Sequence, residues 1–273
     1  MKPLNFRNNL KNLILKLPIP SGNIFCFLFN LITFFFKGSD FISYQDNYYH
    51  IKKKNWKFYY KKQGAYAYLA GLEKRSEDLK KAYLIENINF YDNDLIIDCG
   101  ANNGDFYLCF KKKIKYVGIE PSPIVYETLK HNVGKQITYN KALWKSSDEI
   151  LDFYLKDEGG DSSIIPIKDC KKKISISTIT LDQIIENINS HVKLIKIEAE
   201  GSEPEVLEGL RLYSEKVSYI TIDVSFERGE DSKSTLIECS NLLFEKNFRL
   251  LNFAIHKSRL TIIAKNKLKD KNI

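Results

Sequence analysis

The stretch LIIDCGANNGDF, Leu95–Phe106, decides the fold. Its apolar, β-branched run reads as a strand buried on both faces, ending on an acid and leaving through Gly-x-x-x-Gly. Such a strand belongs to a parallel sheet covered by helices, where ligands sit outside the carboxyl ends of the strands. Gly100 permits a sharp turn close to a ligand, and Gly104 lets the next helix close on the strand. The loop is not the dinucleotide fingerprint G-x-G-x-x-G, because Asn102 stands where the middle glycine belongs. No G-K-[ST] follows, so it is not a Walker A loop either. Asp98 and Asp105 flank it, which disfavours pyrophosphate and suits a ligand with cationic and hydroxyl groups.

The pattern continues outward on the C-terminal side. Strands are expected at Leu95–Asp98, Tyr116–Glu120, Gln136–Asn140, Val192–Glu198, Val217–Val224, Phe248–Ala254 and Arg259–Lys265. Helical patterns fall at Ile124–Asn132, Leu181–Asn187, Pro204–Leu212 and Lys233–Lys246. This alternation predicts an α/β fold with a mostly parallel sheet ending in an antiparallel hairpin. The insertion Ile150–Ile179 breaks the rhythm and reads as added antiparallel strands around a glycine-rich loop.

Residues 1–90 show no regular strand alternation and read as an N-terminal accessory region, mainly helical. Residues 91–268 form the main domain. Ser76, followed by Glu77 and Asp78, predicts an N-cap opening a helix that runs to about Glu86. The aromatic–lysine mixture over residues 47–75 reads as a helix packing tyrosines inward with lysines snorkelling outward, although the same mixture can bind nucleic acid. The run IFCFLFNLITFFF, Ile24–Phe36, has 13 residues, short of the roughly 20 a membrane span needs. It reads as a buried helix. The second reading is a helix in a membrane interface, with Lys11, Lys16, Lys37 and Lys52–Lys54 on anionic headgroups.

Composition is that of a soluble protein, with 44% apolar and 28% charged residues. The net charge is +8, carried by a lysine surplus that reads as a solvated surface. Five scattered cysteines without a C-x-x-C pair argue against a disulfide framework or zinc site and for a reducing, cytoplasmic location. No secretory signal pattern opens the chain.

Glu120 ends the second strand, 20 positions after Gly100, the interval at which an acid meets ribose hydroxyls. S-adenosylmethionine fits: a ribose for Glu120, an amino acid and sulfonium beside Asp98, Gly100, Ala101, Asn102 and Gly104, and adenine packed near Pro121 and Ala142. The alternative is a tight turn without a ligand.

The segments LIIDCGANNGDF, VGIEPSP, ALW, TLD and LIKIEAEGSEPEVLEGL occur in this order. Together they resemble the FkbM family of S-adenosylmethionine-dependent O-methyltransferases, from about Ile88 to Ala264. The family pattern has Asp where this chain has Glu198. The resemblance implies a Rossmann-like class I methyltransferase fold, methylation of a sugar hydroxyl, and a place in polysaccharide or glycolipid biosynthesis. The implied partner is a sugar or glycan acceptor, free, phosphorylated or lipid-linked, met in the cytoplasm or at the inner membrane.

Methyl transfer to a hydroxyl needs in-line alignment and a proton acceptor. Lys196, Glu198 and Glu200 alternate along one strand, so Glu198 or Glu200 is the expected acceptor or hydroxyl anchor, with Lys196 assisting; a paired network supporting the loop is the alternative. Asp161, Ser162, Asp223, Arg228 and His256 are candidate acceptor-site residues. Asp98, Glu198, Glu200 and Asp223 are oxygen ligands compatible with Mg²⁺, but without His or a clear ligand cluster no metal is assigned. A nucleic-acid methyltransferase is the second enzyme reading, and a non-catalytic membrane-associated module the third. The chain lacks the (D/N)PP(Y/F/W) tetrapeptide of base amino-methyltransferases, so no nucleic-acid partner is expected.

Overall fold

The computed structural model describes residues 13, 22–35, 40–53, 57–61, 65, 67–156, 162–168, 170–256 and 259–269. Asp161 and the lysines at 11, 16, 37 and 54 lie outside them.

The central sheet has seven strands: β4 (Leu95–Cys99), β5 (Lys115–Ile119), β6 (Ile137–Tyr139), β10 (Val192–Ile197), β11 (Val217–Asp223), β14 (Phe248–His256) and β15 (Arg259–Asn266). Their order is β14-β15-β11-β10-β4-β5-β6. From β6 to β11 all pairings are parallel, and β15 runs antiparallel between β11 and β14. The sheet is thus mostly parallel and ends in an antiparallel hairpin, as the alternation predicted. All five residues of β4 are buried, which explains why its sequence shows no polar face.

Helices α3 (Pro123–Val133), α4 (Leu181–Ile188), α5 (Glu203–Glu208) and α6 (Leu236–Glu245) connect the strands. Thr180 caps α4 by accepting the Gln183 N–H. In the insertion, β8 (Ile150–Leu155) pairs antiparallel with β9 (Lys172–Ile179), which also pairs with β7 (Ala142–Leu143).

The N-terminal region departs from expectation. Beside α1 (Asn23–Phe35) it holds a three-stranded antiparallel sheet: β1 (Ile42–Gln45), β2 (Tyr48–Lys52) and β3 (Lys57–Tyr60). Tyr49, Ile51, Phe58 and Tyr60 point into a small separate core with Phe25 and Phe29. His50, between Tyr49 and Ile51, is buried too, so hydropathy never alternates and the strands stay hidden in the sequence. Ser76 is not an N-cap. Helix α2 spans Leu72–Ala82, its first N–H is met by the distant Asp40 carboxylate at 2.7 Å, and Ser76 donates to the Leu108 carbonyl.

One face of α1 packs on this core; Ile24, Phe27, Leu31, Phe34 and Phe35 on the other are exposed. Among the described residues no helix is long and apolar enough to cross a membrane.

Candidate active site

A cavity of about 310 Å³ opens at the carboxyl ends of β4, β5 and β10. The glycine loop forms its floor. Gly100 has φ +71°, and a Cβ there would lie 1.9 Å from the Glu198 carbonyl oxygen. Its bareness therefore serves the approach of two backbones, β4 and β10, and not only a ligand. The N–H groups of Gly100 and Ala101 both donate to the Ile119 carbonyl. Gly104 does not line the cavity. A Cβ there would lie 2.9 Å from Leu129 and Val133 of α3, so the helix it admits is α3; the next element is only a 3₁₀ turn, Asp105–Cys109.

Glu120 is 7% exposed and accepts the N–H groups of Asn102 and Ser122, one per oxygen, each at 2.9 Å. Burial pushes its carboxyl up to about 7 despite these bonds. Glu120, Asn102 and Pro121 line the cavity, with Val125, Ala142, Leu143 and Phe153 supplying an apolar wall. These residues fit a nucleoside: acceptor lone pairs for ribose hydroxyls and an apolar wall beside them.

Below the loop lies a charge network. Lys196, 3% exposed, places Nζ 3.0 Å from Asp98, 3.1 Å from Glu198 and 2.8 Å from the Gly100 carbonyl. Asp98 also accepts the Tyr116 hydroxyl and is fully buried, outside the cavity lining. Glu198 is gripped from three sides: by Lys196, by the Arg259 guanidinium, and by the Tyr83 hydroxyl at 2.5 Å. Burial opposes its ionisation, but Arg259 and then Lys196 hold the carboxyl far below its ordinary range. A carboxylate with so little proton affinity is a poor base. Glu198 lines the cavity but is held in a paired network, the alternative reading of this strand, which makes it a weak candidate for proton acceptor. Glu200 does line the cavity; its backbone is left-handed, φ 49°, and its carbonyl accepts the Ser163 hydroxyl at 2.7 Å.

Of the acceptor-site candidates, Ser162 lines the cavity together with Ser163. Both are buried and belong to the cavity wall, not to a solvent loop. Asp161 lies outside the described residues. Asp223 is 1% exposed, pairs with Arg259 at 3.0 Å and accepts from Ser225, so it supports the network from behind. Arg228 faces away, gripping the Glu205 carboxylate with both Nη atoms at 2.9 and 2.6 Å. His256 closes β14 opposite Arg259 in the ladder, part of a strand and not a loop, and is not in the lining. Among the described residues no three His, Cys, Asp or Glu side chains converge to hold a metal.

Sequence reasoning missed Tyr68, Arg75, Tyr83, Asn103, Glu227 and Arg259, all of which line the cavity. Arg75 Nε pairs with Asp105 at 2.7 Å, and the Tyr68 hydroxyl reaches the same oxygen at 3.3 Å. One signal was available. The chain has 42 basic residues, of which six are arginine, and three of those, Arg75, Arg228 and Arg259, are ion-paired at or beside the cavity. In a lysine-rich chain, arginine marks places where a planar fork is needed.

A sequence model of the Methyltransferase FkbM domain matches residues 98–250. No curated protein matches the chain significantly. Among solved structures, a SAM-dependent methyltransferase from Aquifex aeolicus shares 11% identity over 71% of this chain and 95% of its own, with a TM-score of 0.40. Magnesium protoporphyrin IX methyltransferase from Synechocystis with bound SAM shares 7% over 76% and 83%, with a TM-score of 0.41. A TehB-like SAM-dependent methyltransferase from Corynebacterium glutamicum shares 14% over 72% and 97%, with a TM-score of 0.40. Likeness at this level concerns the fold alone.

Proposed function

The chain belongs to the FkbM methyltransferases, and from that premise we propose that it methylates a hydroxyl of a sugar in a surface polysaccharide or glycolipid. It is a SAM-dependent methyltransferase that binds its methyl donor in the cavity described above. When bound, the donor supplies an electrophilic methyl on a cationic sulfur. Glu120 and Asn102 would hold the nucleoside, and the loop from Gly100 to Asn103 the amino-acid part.

The observation that carries the sugar reading is the polar character of the remaining wall: Ser162, Ser163, Glu200, Glu227 and Arg259. Hydroxyl-rich acceptors need such donors and acceptors. A nucleic-acid strand would bring phosphates against the Glu200 carboxylate in this wall, which disfavours them. The exposed apolar face of α1 supports an acceptor presented at a membrane surface.

The test is mass spectrometry of surface glycans from a strain lacking the gene. A deficit of about 14 Da per repeat, one CH₂, is expected. If it is present already in lipid-linked precursors, the acceptor is lipid-linked. If it appears only in the polymer, methylation is late. Unaltered glycan masses in both fractions would overturn the sugar reading.

Donor binding carries its own expectation. Ionised Glu120 accepts ribose hydroxyls better than its protonated form, and it titrates at about 7. SAM affinity measured by calorimetry should therefore fall several-fold as pH drops from about 8 to about 6. Glu120→Gln should bind about 10- to 100-fold more weakly and lose the part of the step centred at about 7. A wild-type affinity indifferent to pH would contradict the ribose role.

A further inference from the structure

Resting on the O-methyltransferase reading, we propose that the Glu227 carboxylate takes the proton from the acceptor hydroxyl as the methyl group is transferred. The argument begins with how Glu227 is held. After β11 the chain turns through Val224 and Ser225 into the short strand β12 (Phe226–Arg228). Its backbone lies directly on the Glu200–Gly201 turn: a Cβ on Gly201 would come within 2.5 Å of the Arg228 Cα and 2.9 Å of the Glu227 carbonyl oxygen. Arg228 then locks this contact by donating to the Gly201 carbonyl and to Glu205. Along β12, Arg228 turns to Glu205 while Glu227 lines the cavity wall.

Glu227 differs from its neighbours in having nothing else to do. Glu198 is bound to Arg259, Lys196 and Tyr83. Asp98 is bound to Lys196 and Tyr116. Asp223 is bound to Arg259 and Ser225. Glu203, from α5, accepts the N–H groups of Ala199 and Gly201 and the Thr235 hydroxyl. Glu120 is bound to Asn102 and Ser122. Among the described residues no hydrogen bond or ion pair engages the Glu227 carboxylate.

The groups facing it are mostly acidic: Asp223 from β11, Glu198 after β10, Glu203 from α5, and Glu200 across the cavity wall, with Arg259 from β15 opposing them. Burial, then Asp223, Glu198 and Glu203, push its carboxyl up to about 8. That proton affinity suits a base working near neutrality. The transfer balances as follows. A lone pair on the acceptor oxygen forms the new C–O bond, and the C–S bond breaks with its electron pair moving to sulfur, which loses its charge. The hydroxyl proton passes to Glu227 and later to solvent.

The test compares wild type, Glu227→Gln and Glu200→Gln. Calorimetry measures SAM and S-adenosylhomocysteine binding from about pH 6 to about pH 9.5. The ratio of the two affinities cancels the titration of Glu120, since both ligands share the ribose. A carboxylate beside the reacting methyl makes the wild-type preference for the sulfonium rise several-fold through about pH 8; in Glu227→Gln the ratio is flat, with S-adenosylhomocysteine affinity unchanged as evidence of an intact cavity.

Initial rates use unmethylated glycan from the deletion strain as acceptor. Wild-type turnover rises with pH and levels above about 8. Glu227→Gln loses about 10²- to 10⁴-fold and the pH step with it. The proposal is overturned if Glu227→Gln keeps the wild-type ratio and rate profile, or if Glu200→Gln alone produces these losses. If the glycan is not methylated by wild type, the sugar reading fails and the calorimetric ratio still decides the role of Glu227.

Discussion

Lys196→Met is expected to cost about 3–5 kcal/mol of folding stability and most of the affinity for SAM. Methionine fills much of the same volume, so the loss reports charge and not a hole. Removing the ammonium leaves Glu198 with Arg259 and Tyr83, but leaves the fully buried Asp98 with only the Tyr116 hydroxyl. The Gly100 carbonyl loses its side-chain donor at the same time, while the Cys99 carbonyl keeps the Glu198 N–H, so the floor of the cavity loses one of its ties to β10. The sign of the pH dependence follows. Asp98 without its cation binds a proton more readily folded than unfolded, so the variant's deficit is largest at neutral pH and narrows as pH falls. Urea denaturation at several pH values and calorimetry with SAM check this. A deficit below about 1 kcal/mol at neutral pH would refute the network as a determinant of stability.

Gly100→Ala should be comparably severe for a different reason. At φ +71° alanine pays the left-handed penalty, about 1–2 kcal/mol. Its Cβ also meets the Glu198 carbonyl oxygen at 1.9 Å and the carbonyl carbon at 3.1 Å. Neither atom can swing aside as a side chain would, so β4 and β10 must part. Together these imply a loss of about 3–5 kcal/mol and a SAM affinity reduced by about two orders of magnitude or more. Gly134→Ala is the matched control, because Gly134 has φ +63° with nothing within 4 Å of its missing Cβ. With ψ −114° it should cost only the local backbone strain of its positive-φ conformation and leave SAM binding intact. Equal melting temperatures for the two variants would refute the close-approach argument.

Most of the main domain was legible because its physics is local. Short β-branched runs such as Leu95–Asp98 and Val217–Val224 read as strands of a covered sheet, and Glu120 was singled out by its spacing from Gly100 alone. What escaped is non-local. Glu198 looked like a base because its partners, Tyr83 and Arg259, lie 115 and 61 positions away, and no window of sequence contains the three. Arg228 looked available until its fork was seen on Glu205, and Glu227, one residue earlier, was overlooked because β12 is too short to show an alternation. The N-terminal sheet was missed for a related reason: aromatic side chains occur on both faces of β2 and β3, which erases the period-two signal.

The grip on Glu198 has a bearing on the order in which the protein can be made. Tyr83 precedes the family-defining segment of residues 98–250 and Arg259 follows it, and β15, which carries Arg259, slots between β11 and β14. A nascent chain that has emerged only as far as β11 holds Glu198 and Asp223 without their guanidinium, two carboxylates facing a half-built sheet edge. The charge balance around Glu198 and Asp223 therefore depends on β15, a strand that lies outside the segment defining the family.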